Sequence, residues 1–398
     1  MSGVSYLDKL LDGVAVEWKP LDEVSVKISS GGTPKTGVAE FYDGNIPWLR
    51  TQEVDFGEIW DTGVKITESG VKNSSAKWIP ANCVIVAMYG ATVGKIGINK
   101  IPMTTNQACA NIELDKKIAD YRYVFHFLSN QYEYIKSLGA GSQTNINAGI
   151  VKKLNVPIPC PDDPQKSLKI QAEIVRILDT FTELTAELTA ELTARKKQYN
   201  HYRDQLLSFE EGEVEWNMLG KVAEFRRGTA ITQKQTTAGN IPVVANGPTP
   251  TYLHGESNRE GETIVIARSG AYAGYVSFWN QPIFLTDAFS VHPNPEILKP
   301  KFVYHFLQNK QEHIHAMKKG AGVPHVRVKE FEAYDVPIPT VAEQARIVAI
   351  LDKFDALTHS LTEGLPREIE LRQRQYEHYR DLLLSFPQPQ TDHQGRMK

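Results

Sequence analysis

An internal repeat constrains this chain of 398 residues more than any other feature. The segment QAEIVRILDTFTEL at 171–184 returns as QARIVAILDKFDAL at 344–357. Further along, QYNHYRDQLLSF at 198–209 returns as QYEHYRDLLLSF at 375–386. A duplication of this extent, in a chain too long for one compact core, predicts two equivalent domains.

Shorter matches extend the repeat into the blocks between these segments. They are VPIP at 156–159 and 336–339, VFHFL at 124–128 with VYHFL at 303–307, GAG at 139–141 and 320–322, and GATVG at 90–94 with GAYAG at 270–274. The N-terminal YLDKLL at 6–11 and the VEW after it parallel YRDQLL at 202–207 and its own VEW. The chain therefore begins with the tail of the repeated element, which predicts a pseudo-twofold, circularly permuted arrangement.

The repeated element predicts long helices, because its apolar and aromatic positions alternate steps of four and three residues, as in a coiled-coil seam. The seam residues are Ile174, Leu178, Phe181, Leu188, Leu192, Tyr199, Tyr202 and Leu206 in the first copy, and Ile347, Leu351, Phe354, Leu361, Tyr376, Tyr379 and Leu383 in the second. A helix over 171–209 would be roughly 60 Å long, so we expect each stripe to pack on the other copy rather than on its own domain. In the second copy we expect a break at Gly364–Pro366 and a new helix over 367–386.

The first helix contains a tandem of the unit TAEL, in TELTAELTAELTA at 182–194. Four added residues advance a helix by roughly 6 Å and rotate it by about 40° beyond a full turn. One base pair of DNA advances about 3.4 Å and turns by about 35°. The tandem therefore suits an adjustable spacer between two DNA-reading blocks, although slippage in repetitive coding DNA explains it equally well.

The two variable blocks read as mixed α and β structure, with apolar strands such as 83–88 and 263–268 and one helix each, over 121–138 and 301–317. We predict an α+β fold: two structurally similar α/β domains separated by two long helices that form an antiparallel coiled coil. The expected limits are 1–17 for an N-terminal helical fragment, 18–165 and 216–341 for the two domains, 166–215 for the central helix, 342–387 for the C-terminal helix and 388–398 for a disordered tail.

Composition excludes several classes of protein. A formal net charge of −3 argues against binding nucleic acid through bulk positive charge. No apolar stretch is long enough to cross a bilayer, and no secretion signal is visible. Three cysteines without CxxC spacing argue against disulfides or structural zinc and favour the cytoplasm.

The sequence shows no complete catalytic motif, which favours a protein without chemistry of its own. GATVGK at 90–95 is one residue short of a phosphate loop and has Ile96 where Ser or Thr should bind magnesium, so a structural turn is favoured. PDDPQK at 161–166 reads as a linker rather than a set of nuclease carboxylates. Glu312, His313 and His315 lack the spacing of a helical metal site, and no metal site is expected.

Candidates for DNA contact are polar and basic residues on predicted loops, since base edges are read by bidentate donors and acceptors. In the first block they are Lys35, Thr36, Arg50, Thr51, Gln52, Gln143, Thr144, Asn145 and Asn147. In the second they are Arg226, Arg227, Lys234, Arg268, Ser269, Tyr272, Lys318, Lys319, His325, Arg327 and Lys329. The alternative for each is an ordinary solvated loop residue.

The two blocks, the VPIP lead-in, the QxxIVxILDxF helices, the GGTP and IPW sequences at 31–34 and 46–48 and the TAEL tandem together resemble the specificity subunit of type I restriction–modification enzymes, most closely its IC-like subgroup. The resemblance covers nearly the whole chain. It implies that each domain reads half of a split, asymmetric target in double-stranded DNA. It also implies that the helices set the gap between the halves.

The resemblance further implies partners and cofactors. Two modification subunits, which methylate adenine at N6 with S-adenosylmethionine, dock on the helices, and two restriction subunits, which use ATP and magnesium, join the complex. No cofactor is expected in this chain, and no membrane. Two other hypotheses remain open: a coiled-coil scaffold that binds only proteins, and a stand-alone DNA methyltransferase or nuclease, which would need a cofactor loop.

Overall fold

The computed structural model describes residues 6–139, 145–210, 212–319, 324–360 and 363–387. The chain divides into two compact units. Unit 1 comprises Met1–Ala186 with Glu370–Lys398, and unit 2 comprises Glu187–Ile369. The finer domain limits given above stay predictions, and Leu361 and the tail at 388–398 lie outside the described residues.

Unit 1 combines three sheets with short helices. Its strands are β1 (Val16–Pro20), β2 (Ser25–Ser30), β3 (Tyr42–Leu49), β4 (Glu58–Ile59), β5 (Lys65–Ile66), β6 (Trp78–Ile79), β7 (Val84–Ala87), β8 (Ile96–Asn99), β9 (Met103–Thr105), β10 (Cys109–Leu114) and β11 (Asn155–Pro159). Its helices are α1 (Tyr6–Leu11), α2 (Glu68–Lys72), α3 (Tyr121–Asn130), α4 (Tyr132–Ser137) and α5 (Ala148–Lys152), followed by the start of α6 (Pro164–Leu206). Short 3-10 helices cover Ala39–Phe41 and Thr51–Glu53.

Unit 2 repeats this plan with a smaller second sheet. Its strands are β12 (Glu215–Met218), β13 (Ala223–Arg227), β14 (Ile241–Val244), β15 (Tyr252–His254), β16 (Glu262–Ala267), β17 (Val276–Asn280), β18 (Phe284–Leu285), β19 (Ala288–Pro293) and β20 (Asp335–Ile338). Its helices are α7 (Leu219–Val222), α8 (Pro300–Asn309), α9 (Gln311–Ala316), α10 (Val328–Glu332) and α11 (Val341–His359), followed by the start of α12 (Gly364–Leu384). A 3-10 helix covers Gln233–Gln235.

The main sheets of the two units share one strand order. Unit 1 has β2-β10-β7-β8-β4 and unit 2 has β13-β19-β16-β17, so β4 is an addition at one edge. Each unit also pairs the strand that carries VEW with the strand that carries VPIP, and in both pairs the tryptophan lies opposite the first proline: Trp18 opposite Pro157 and Trp216 opposite Pro337. The repeated sequence therefore builds repeated structure.

The long helix α6 begins earlier than its apolar pattern predicts. Asp163 Oδ1 accepts hydrogen bonds from the backbone N–H groups of Gln165 and Lys166, each at 3.1 Å. Proline is tolerated at the next position because the first turn of a helix needs no backbone donor. The interpretation of 161–166 as a linker was therefore wrong from Pro164 onward, and α6 ends at Leu206 rather than Phe209.

The break in the second copy also lies elsewhere than expected. Helix α11 ends at His359, and α12 begins at Gly364 instead of residue 367 and ends at Leu384 instead of Phe386. Pro366 lies in the first turn of α12, where backbone N–H groups have no acceptor within the helix. Its missing N–H therefore costs no helical hydrogen bond. A Cβ on Gly364 would lie 2.4 Å from the Ala356 carbonyl oxygen, so this position requires glycine.

The single helix expected in each block is two helices. A non-helical residue, Gln131 in unit 1 and Lys310 in unit 2, separates α3 from α4 and α8 from α9. In unit 2 the bend places Gln311 against the main sheet, where its side chain accepts from Val276 N at 3.0 Å and donates to Gly274 O at 2.7 Å. The expectation of uninterrupted helices over 121–138 and 301–317 was wrong for this reason.

In each unit, helices of the two copies pack on one another. Phe181 of α6 stacks on Tyr379 of α12 in unit 1, with ring centroids 5.2 Å apart. Tyr202 of α6 stacks on Phe354 of α11 in unit 2, with ring centroids 5.7 Å apart. In the repeat, Phe354 corresponds to Phe181 and Tyr202 to Tyr379, so each unit contains the same pair with the helices exchanged. Tyr199, one turn before Tyr202, lies against His359, which follows Phe354, so the helices in unit 2 run antiparallel.

The remaining seam residues follow this packing. Those fully or nearly fully buried are Ile174, Leu178, Tyr199, Ile347, Leu351 and Leu383, and those partly exposed are Leu188, Leu192, Leu206 and Tyr376.

Both ends of the described chain lie in unit 1. Leu7 and Leu11 of α1 share a core with Leu383 and Leu384 of α12. The Trp18 indole N–H donates to the Pro387 carbonyl at 2.8 Å, across 369 positions of sequence. The N-terminal and C-terminal parts of the described chain therefore fold together within unit 1.

None of the described helices is long and apolar enough to span a bilayer. The three cysteines are free thiols, and burial raises the pKa of both Cys83 and Cys109 to about 12. These two thiols therefore stay protonated and unreactive at neutral pH.

Candidate nucleic-acid interface

The predicted DNA-contact residues of unit 1 that the structure describes lie near the ends of β2, β3 and β7. The first residues of β10 lie between the last residues of β2 and β7, with Ala110 opposite Ser30 and Cys109 opposite Ala87. The loops that follow bond to one another: Ile146 N donates to Met88 O at 3.0 Å, and Thr92 Oγ1 donates to Thr51 O at 2.7 Å. We call residues 31–36, 50–52, 88–94 and 145–147 the unit 1 loop surface.

Unit 2 forms the same surface from the ends of β13 and β16. Phe289 and Ala288 of β19 lie opposite Arg227 and Ala267. Val326 N donates to Arg268 O at 3.0 Å, which reproduces the bond between Ile146 and Met88. Residues 227–229, 268–274, 318–319 and 324–327 form the unit 2 loop surface.

The GATVG and GAYAG sequences form the same turn in both units. Gly94 and Gly274 each have a φ of +82°, which favours glycine. A Cβ on Gly274 would lie 2.9 Å from Ile314 Cγ2, so helix α9 closes over the turn. The lysine of GATVGK, Lys95, is bound to Asp55 at 2.6 Å. The turn is structural, as the sequence favoured.

The structure gives the predicted unit 1 residues different environments. Lys35, Thr36 and Gln52 are exposed, whereas Thr51 is only 7% exposed. Three others take part in local bonds or lie partly buried: Arg50 pairs with Glu53 at 3.5 Å, Asn147 caps α5 through the Ile150 N–H, and Asn145 is half-buried. Gln143 and Thr144 lie outside the described residues.

In unit 2 most of the predicted residues come together. Ser269 and Lys319 both form backbone bridges with His325, and Lys318 Nζ donates to Ala271 O at 3.1 Å. The others at this surface are Arg227, Arg268, Tyr272 and Arg327. Outside it lie Arg226, paired with Glu224 at 2.6 Å, and the exposed Lys234 and Lys329.

Ion pairs shape the charge of the unit 2 surface. Lys319 Nζ lies 2.8 Å from Glu330 Oε1. Burial alone would raise the pKa of Glu330, but the hydrogen bonds from Lys319 and from the Arg327 backbone N–H outweigh it and lower that pKa. The carboxylate is therefore ionised and orders the lysine beside it.

A second set of residues, for which the sequence alone predicted no role, fixes each domain to a helix of the repeated element. Gln171 is fully buried, accepts from Asp120 N at 2.9 Å and donates to Ile118 O at 3.0 Å. Gln344 does the same in unit 2, with Lys299 N and Ile297 O, both at 2.8 Å. Each glutamine thus holds the start of the domain helix, α3 or α8.

The aspartates of the repeated ILD sequence form the other half of this junction. Asp179 accepts from His126 Nε2 at 2.8 Å and from Arg122 Nε at 2.6 Å. Asp352 accepts from His305 Nε2 at 2.9 Å and from Lys301 Nζ at 2.8 Å. The aspartate and the histidine are identical in both copies, and Arg122 is replaced by Lys301, which is also basic. This repetition was the available signal.

Acid is expected to weaken unit 2 through His305. Burial lowers its pKa, and the opposing hydrogen bond and charge of Asp352 do not restore it. Because the folded pKa lies below the unfolded one, the stability contributed by neutral His305 is complete above about pH 6.5 and is lost as the pH falls below that value. Burial also lowers the pKa of His292, as it does that of His305.

Thermal unfolding between about pH 7.5 and about pH 5.5 checks this. We expect the midpoint to fall on acidification, less in His305→Gln than in the wild type, with His378→Gln, an exposed histidine, as the control. A fall of equal size in wild type and His305→Gln would refute the assignment.

Within the described residues, no group of three or more His, Cys, Asp or Glu side chains is arranged to hold a metal ion. The geometry instead offers two surfaces with one backbone plan and different side chains, each attached to a long helix by the same buried bonds.

Comparison with known proteins shows which protein family this chain resembles in sequence. The model of the type I restriction modification DNA specificity domain matches residues 14–195 and again 212–371. The specificity subunit of the type I restriction enzyme EcoR124I/EcoR124II of Escherichia coli is 37% identical, over 98% of this chain and 99% of its own. That of the EcoprrI enzyme, also from Escherichia coli, is 36% identical over 91% and 93%.

Solved structures show the same fold. The type I restriction–modification S subunit from M. genitalium has a TM-score of 0.65 at 19% identity, covering 95% of this chain and 98% of its own. A chain from a structure concerned with assembly of the type I R-M system has a TM-score of 0.59 at 17% identity, covering 93% and 97%. The predicted α+β, two-domain class is confirmed.

Proposed function

Because this chain belongs to the family of type I restriction–modification DNA specificity subunits, we propose that each unit reads one half of a split, asymmetric DNA target. The chain is a recognition component rather than a catalytic one. Each loop surface contacts one half-site in double-stranded DNA, and the helices set the gap between the half-sites. The subunit acts in the cytoplasm.

One observation carries this proposal. The two loop surfaces share backbone hydrogen bonds and glycine turns but differ in the side chains they present. Tyr89 and Asn147 of unit 1 stand where unit 2 has Ser269 and Arg327. A constant scaffold with different exposed groups is what two different half-sites require.

The helices supply surfaces for partners. We propose that two adenine-N6 modification subunits, which carry S-adenosylmethionine, dock along α6, α11 and α12, one for each half-site. Two restriction subunits, which use ATP and magnesium, join them. The repeated helix sequences support two equivalent docking positions, because similar sequences recur in both copies.

Methylation mapping tests the proposal. The chain is co-expressed with its modification subunit in a methylation-free host, and methylated adenines are mapped across the genome. We expect one split motif, methylated once on each strand and absent when this chain is omitted. A soluble complex with active modification subunits that marks no such motif would contradict the proposal and favour a protein scaffold.

Exchange of one block separates the roles of the two units. Replacing residues 216–341 by the corresponding block of a relative is expected to change one half-site completely and leave the other half-site intact. The physical reason is that Gln344 and Asp352, which hold the block, lie on the retained helix. A change in both half-sites would show that the units do not read independently.

A further inference from the structure

At the end of β16, the unit 2 loop surface holds an arginine in a fixed orientation. Arg268 Nη2 and Nε lie 2.9 Å and 3.1 Å from Asp287 Oδ1. The other carboxylate oxygen of Asp287 accepts from Ser269 Oγ at 2.6 Å and from Asn246 Nδ2 at 3.3 Å. Ser269 and Asn246 thus hold Asp287, and Asp287 in turn orients the guanidinium of Arg268.

The fold does not need this pair. The Arg268 side chain is 54% exposed and that of Asp287 is 36% exposed, and ion pairs in such positions add little to stability. Strand register and the shared backbone bonds place Met88 and Ala108 at the corresponding positions of unit 1, where both are buried. Unit 1 therefore builds the same turn from two apolar residues.

We propose that Arg268 reads a guanine in the half-site that faces unit 2 and that Asp287 positions it. This rests on the proposed function. The bond to Asp287 occupies Nε and one side of Nη2, and among the described residues the guanidinium has no other hydrogen-bond acceptor. Nη1 and the outer N–H of Nη2 remain as two parallel donors, and the O6 and N7 atoms of guanine accept both in the major groove.

Guanine suits this arginine better than adenine or a phosphate does. Adenine has an N6 donor where guanine has the O6 acceptor, so one arginine donor would face another donor. Asp287 would repel an approaching phosphate, whereas a base edge carries no net charge. Lys318, whose ammonium group donates to the Ala271 carbonyl rather than to a carboxylate, is better suited to a phosphate contact.

Modified duplexes test the guanine contact once methylation mapping has given the target and block exchange has shown which half faces unit 2. The complex of this chain with its modification subunit is titrated with duplexes in which single guanines of that half are replaced by 7-deazaguanine, which lacks the N7 acceptor. We expect the replacement at one position to weaken binding by the wild-type complex roughly tenfold. The same replacement is expected to leave binding by the Arg268→Ala complex unchanged.

Genome-wide methylation supplies the second readout. Arg268→Ala is expected to relax that one base and leave the other half-site intact. Asp287→Asn, which keeps the arginine but weakens its orientation, is expected to relax the same base less. Lys221→Ala, which removes an exposed charge elsewhere in unit 2, serves as the control and leaves the motif unchanged.

Several results would overturn the proposal: no guanine in that half-site, a 7-deazaguanine effect that persists in Arg268→Ala, or equal weakening by Arg268→Ala on all sequences, as a phosphate contact would give. The proposed function fails differently, because the wild-type complex would then mark no split motif.

Discussion

Deletion of Thr189–Leu192, one TAEL unit, is expected to shorten the gap between the two half-sites and leave the bases of both half-sites unchanged. The deletion removes roughly 6 Å of helix and about 40° of rotation beyond a full turn. One base pair accounts for about 35° of rotation. The gap is therefore expected to shrink by about one base pair, since rotation decides which face of the DNA each surface meets.

Burial explains why the deletion should be tolerated. On α6, the core of unit 1 extends to Leu178 and the core of unit 2 begins at Tyr199. Within the tandem, the leucines are partly buried and the threonine, alanine and glutamate positions are mostly exposed. Neither core loses a residue when one unit is removed.

Methylation mapping of the deletion variant measures both the gap and the half-sites. The control is Thr189→Ala, which changes a residue of the same unit without changing helix length and should keep the gap. Altered bases in either half-site, or an unchanged gap, would refute a spacer role for α6.

Asp179→Ala is expected to lower the free energy of unfolding by about 2–3 kcal/mol, because it leaves His126 and Arg122 without their shared partner. The His126 side chain is only 3% exposed, so water cannot replace the carboxylate. Burial alone would raise the pKa of Asp179, but hydrogen bonds from His126 and Arg122 outweigh it and lower that pKa. The carboxylate is therefore charged in the folded protein.

Glu173→Ala provides a matched control on the same helix. Glu173 pairs with Arg176 at 2.7 Å in an exposed position, and solvent screening leaves such pairs with little effect on stability. Urea unfolding of both variants compares the two sites. Equal losses would mean that the Asp179 junction is no more than a surface ion pair.

The repeat made the architecture predictable, because identical residues at corresponding positions require identical surroundings. The stacking of Phe181 on Tyr379 and of Tyr202 on Phe354 follows from the seam positions. Helix ends were predicted less well, because an aspartate followed by a proline, as at Asp163 and Pro164, is typical both of linkers and of helix N-termini. Gly364 likewise signals a break in sequence, yet it begins a helix.

The loop surfaces were predictable only as sets of polar residues. Sequence indicated Arg268 and Ser269 but not Asp287, which follows them by almost twenty positions and reaches them only through strand pairing. The junction residues were visible as repeats, but burial distinguishes a glutamine that holds a helix from one that faces water. That information comes from three-dimensional packing, which periodicity does not encode.

The contact between Trp18 and Pro387 has a consequence for biosynthesis. Ribosomes make the chain from its N-terminus, yet the core of unit 1 includes Leu383, Leu384 and Phe386, almost the last described residues. Unit 2 is one continuous stretch, Glu187–Ile369, and can fold while the rest is still being translated. The domain that is encoded first is thus the one that is finished last.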